Sequence, residues 1–148
     1  VAGAVAAPIA GRLADRGFTR PATVSAMLIS SAAFGLTLLA EPGSTLAVAL
    51  LVIAAVVLDF GVSANVVLGQ RAIYGLGDTY RGRLNGLYMA TFFTGGALGS
   101  AVGGWSQAHG GWSLTATIGA LLPLAALGYF LTELALGVPE PAWLDGEA

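Results

Sequence analysis

The sequence predicts an all-α fold, a polytopic membrane helix bundle of four full transmembrane helices plus a partial one. Three observations lead there. Hydrophobic residues supply 56% of the chain and charged residues 9%, whereas a soluble domain carries about a quarter charged. The few charges are far apart: twenty uncharged residues lie between Arg20 and Glu41, seventeen between Glu41 and Asp59, and forty-nine between Arg83 and Glu133. Only helices and closed barrels satisfy every backbone polar group in lipid, and the short alternating strands of a barrel are not present.

The elements follow in order. Val1–Ala10 is an apolar stub of about 15 Å as a helix, half a bilayer, and reads as the second half of a span begun upstream. A polar loop, Gly11–Pro21, leads to Ala22–Ala40, a span closed by Glu41-Pro42-Gly43-Ser44, where proline and glycine turn the chain and Ser44 can cap the next helix. Leu46–Leu68 is the third segment, interrupted only by Asp59, and a polar stretch from Gly69 to Leu84 follows. Asn85–Trp105 is glycine-rich, and a turn at His109-Gly110-Gly111 joins it to Trp112–Leu134, in which Pro123 predicts a kink. Residues 1–136 thus form one bundle, and 137–148 a proline-containing acidic tail.

Charge placement sets the expected sidedness and removes several function classes. All six arginines lie in the first and third polar segments, which the positive-inside rule puts in the cytoplasm, with Arg71, Arg81 and Arg83 as anchors. Two crossings separate those segments, so parity agrees and also puts the tail inside. Trp105 and Trp112 flank the outer turn, where indoles favour the membrane boundary. There is no lysine and no basic tract for nucleic acid. The absence of cysteine excludes disulfides, thiolate metal sites and cysteine nucleophiles. No metal-ligand cluster, phosphate loop or serine–histidine–acid set appears, so neither an enzyme nor a cofactor is expected.

The first polar segment reads Gly11-Arg12-Leu13-Ala14-Asp15-Arg16-Gly17-Phe18-Thr19-Arg20. A short connection between membrane helices needs glycine to turn, arginines to fix sidedness and an acid to face a helix N-terminus. Through Gly11, Leu13, Ala14, Asp15, Arg16 and Arg20 it resembles the cytoplasmic loop motif of the major facilitator superfamily, from which it departs in Gly17, one place early, and Thr19, where that motif has arginine. The run Arg81-Gly82-Arg83-Leu84-Asn85 before a glycine-rich helix is a second point of similarity. The resemblance implies that the chain runs from the end of helix eight to helix twelve of a twelve-helix transporter. It also implies that the loop acid takes part in contacts between two halves that open alternately, the N-terminal half being the expected partner.

Gly95, Gly99 and Gly103 recur every four residues on one stripe of the fourth segment, which predicts close packing of that stripe on another helix. Asp59 stands about thirteen residues into an apolar span, where an ionisable group costs several kcal/mol unless it meets a cavity or a partner. Ser63 and Gln70 fall on its side of the helix and Asn65 points away, so Asp59, Ser63 and Gln70 are the expected pathway or coupling residues. The expected function is secondary active transport of a small solute, with protons as candidate coupling ions, in a bacterial cytoplasmic (inner) membrane; efflux fits as well as uptake. The alternative is a small membrane protein dimerising through the glycine stripe.

Overall fold

The computed structural model describes residues 2–41, 43–74 and 80–136. Over these the chain is helical, in the order α1 (Ala2–Asp15), α2 (Thr19–Leu36), α3 (Thr45–Tyr74) and α4 (Arg81–Ala135), with no strand among the described residues. At 1.5 Å per residue the 55 residues of α4 would reach about 80 Å, more than twice a bilayer core. Gly111, at φ 62° and ψ −159°, breaks the helix into two limbs. Those limbs fold back on each other: the Ser106 and Thr115 hydroxyls are 2.9 Å apart, though a straight helix would separate them by about 13 Å. A helix therefore stands at each of the four predicted spans and at the partial one, two of them as the limbs of α4, and α3 and α4 are long and apolar enough to cross a membrane.

Local sequence explains the ends. Ser44 Oγ accepts from the Ala47 amide at 3.1 Å, the expected N-cap of α3. At the end of α1, the Phe18 amide donates to Leu13 O at 2.9 Å and the Gly17 amide to Ala14 O at 3.0 Å, with Gly17 at φ 78°. This pair of bonds is a Schellman C-cap, whose left-handed position takes glycine without a steric penalty. Several expected boundaries move. The stub continues through Asp15, so most of the first polar segment is helix. The third span extends to Tyr74, which places Gln70 and Arg71 on helix rather than in a loop. Pro123 retains helical dihedrals, and the break falls at Gly111 alone. The tail from 137, and 75–79 of the third polar segment, lie outside the described residues.

Contact register gives the directions. Gly3 meets Asp59 and Asp15 meets Arg71, both 56 residues apart, so α1 and α3 run parallel. α2 is antiparallel to the C-terminal limb of α4: Ser31 Oγ donates to Ala120 O at 2.8 Å and Trp112 Nε1 to Thr37 Oγ1 at 3.0 Å. The N-terminal limb of α4 meets α3 through Tyr88, whose hydroxyl donates to Val66 O at 3.3 Å.

The core is small-residue packing. Ala6 and Ala10 of α1, Ala26 of α2 and Ala64 and Leu68 of α3 form one buried cluster. A Cβ on Gly61 would lie 2.6 Å from Ser30 Oγ and 3.1 Å from Ala26 O, and one on Gly119 would lie 2.6 Å from the Phe34 ring. These glycines allow the backbones to approach, so dispersion contacts hold the helices together. Only 11% of the most apolar stretch of α3, and likewise of α4, is buried within the chain, so these long apolar faces are left for lipid or further protein to cover.

Candidate functional site

Two places in the bundle gather polar chemistry. The first is the arginine-bearing end of α1 and α3. Arg71 forms an ion pair with Asp15, Nη1 to Oδ1. A Cβ on Gly11 would sit 3.0 Å from Arg71 Nη2, so Gly11 makes room for the guanidinium one turn before the acid. The loop motif is thus tied to α3: its glycine and its aspartate address one arginine. Leu13 and Phe18 line a smaller hollow of about 270 Å³ against α2 and α3, and half-buried Ala14 packs on the alanine core. Arg12 and Arg16 are exposed and Arg20 is half-buried in the first turn of α2. On the neighbouring pair of helices, Arg81 lies over the Tyr74 ring at 5.5 Å and donates to Tyr74 O at 3.3 Å, while exposed Arg83 stands in the first turn of α4.

The second place is a cavity of about 850 Å³ between α2, α3 and both limbs of α4. Its wall is apolar apart from Ser30 on α2, Asn65, Tyr88 and Thr91 toward the arginine end and Ser106 and Thr115 toward the bend. Ser106 is fully buried and held by Thr115 and by Gly103 O. Gly95, Gly99 and Gly103 line this cavity, and no atom comes within 4 Å of a Cβ placed on any of them. Among the described residues that stripe presses on no other helix, and close approaches fall at Gly3, Gly11, Gly61, Gly69 and Gly119.

Asp59 and Ser63 do come together, Ser63 Oγ lying 3.5 Å from Asp59 Oδ1, but they face α1, where the Gly3 amide donates to Asp59 Oδ2 at 3.1 Å. Neither lines the large cavity. Gln70 is half-buried farther along α3 and also lies outside the cavity wall. Asn65 is the polar residue of α3 that reaches the cavity, on the stripe of Leu58 and Val62. That face is available in the sequence, since positions 58, 62 and 65 fall together at 3.6 residues per turn, on the side of α3 away from the carboxylate.

Apolar helices thus surround an uncharged cavity and are tied at one end by the ion pair of the loop motif. The sequence profile of the Major Facilitator Superfamily matches residues 1–144, and the chain belongs to that family. It is 34% identical over 118 residues to an uncharacterized transporter, YgaY, of Escherichia coli strain K12, and equally so to YgaY of Escherichia coli O157:H7. Each match covers 80% of this chain and 29% of the relative, so the chain spans less than a third of their length. No solved structure matches it significantly.

Proposed function

We propose that the chain forms most of five helices in the C-terminal half of a secondary active transporter of the bacterial inner membrane, crossing the bilayer several times with its arginine-bearing ends in the cytoplasm. The observation that carries this reading is the open cavity of about 850 Å³ lined by α2, α3 and α4, a volume suited to a small organic solute. The N-terminal half, the lipid bilayer and the solute are its partners. The Asp15–Arg71 pair joins α1 to α3, so these helices move as one body when the halves rock against each other. Asp59, about 21 Å along α3 and facing α1, is the coupling candidate, as the carboxylate within the long apolar stretch.

The test is energised transport in inverted vesicles with and without the full-length protein, across a panel of small solutes. The expected result is protein-dependent accumulation of at least one solute that collapses with a protonophore and is lost in Asp59→Asn. Accumulation identical with and without the protein across the panel overturns the transport reading. Accumulation that survives Asp59→Asn with an unchanged pH profile removes Asp59 from coupling.

A further inference from the structure

The cavity wall contains no charged residue. A charged solute entering it would leave water without a counter-ion, a heavy penalty in a low-dielectric setting. Its polar groups are also unequally committed. Ser106 and Thr115 bond each other, Thr91 Oγ1 donates to Leu87 O, and Ser30 Oγ donates to Ala26 O. Tyr88 donates to Val66 O, and its ring end packs where Gly69 has no side chain. Asn65 differs: its side chain makes no hydrogen bond to any described residue, although an amide offers two donors and an acceptor. The residue is half-buried in the cavity wall, so its amide is open to a molecule that enters the cavity.

We propose that the cavity takes an uncharged, largely apolar solute carrying a carbonyl, amide or hydroxyl group, and that Asn65 binds this group. The inference rests on the transport reading and adds the substrate class to it. Asn65 lies about 30 Å along α3, and the next residue's carbonyl holds the Tyr88 hydroxyl, so the solute's polar end sits at the arginine-bearing end of the cavity and its apolar body extends toward the bend. The glycine stripe then has a use that its lack of helix contacts leaves open: it leaves the wall flat for a bulky apolar body.

Photolabelling of the full-length protein in lipid nanodiscs tests this with three probes on one scaffold: neutral benzophenone, its cationic 4-benzoylbenzyl-trimethylammonium derivative and anionic 4-benzoylbenzoate. Insertion into Met27, in the cavity wall, is read by mass spectrometry relative to insertion at exposed Val52 on α3. The neutral probe is expected to label Met27 most strongly. Asn65→Leu should lower that yield about fivefold, the effect of one neutral hydrogen bond, and Asn65→Gln should keep more than half of it. Equal or stronger labelling of Met27 by either charged probe overturns the proposal, as does unchanged neutral labelling in Asn65→Leu. The assay needs no ion gradient, so it can fail while energised transport persists, and transport can be absent while the labelling pattern holds.

Discussion

Single glycines divide into those that a neighbour presses on and those that face open space, and sequence spacing did not tell them apart. Gly61 has Ser30 and a backbone carbonyl against it, whereas Gly99 has nothing within 4 Å. Gly61→Leu is therefore expected to lower thermal stability in detergent, by about 1–3 kcal/mol or more, as an overpacked contact. Gly99→Leu is expected to leave it nearly unchanged while taking volume from the cavity, and paired melting curves check this. The Asp15–Arg71 pair is well exposed, at 63% and 43%, so its coupling in a double-mutant cycle of Asp15→Asn and Arg71→Gln is expected to be no more than about 1 kcal/mol. A much larger coupling would mean that the pair is shielded in the full-length protein.

At the scale of elements, the bend at Gly111 carries the most specific requirement. Its φ and ψ lie in a region that only glycine occupies easily, so Gly111→Ala is expected to cost about 1–3 kcal/mol. Gly104→Ala, in regular helix with no atom within 4 Å of the new methyl, should be neutral or stabilising by up to about 1 kcal/mol. Thermal unfolding of the two variants distinguishes them. The positions of the helices were legible because lipid solvation writes length and charge spacing directly into sequence: the uncharged runs 21–40, 42–58 and 84–132 contain most of α2, the first half of α3 and nearly all of α4. Helix ends were less legible. Charged residues such as Asp15 and Arg71 mark loops by composition, yet they continue helices at the end where polar groups are well solvated. The large cavity was not legible, because it depends on which face of α3 meets α1, and the constant offset of 56 residues between their contacts appears only in the fold.

For the whole molecule, the proposed transport requires the helices to wall a solute path that opens to each side of the membrane in turn. Thr91 stands on the cavity wall, exposed, on the N-terminal limb of α4. The native chain has no cysteine to confuse a label. With Thr91→Cys in the full-length protein, also freed of any cysteine outside this chain, a membrane-impermeant maleimide is applied to right-side-out and to inside-out vesicles. The account predicts that the thiol reacts from both sides, and that trapping it from one side removes the reaction from the other. Reaction from one side only, or from neither, would contradict an alternately open path through this cavity.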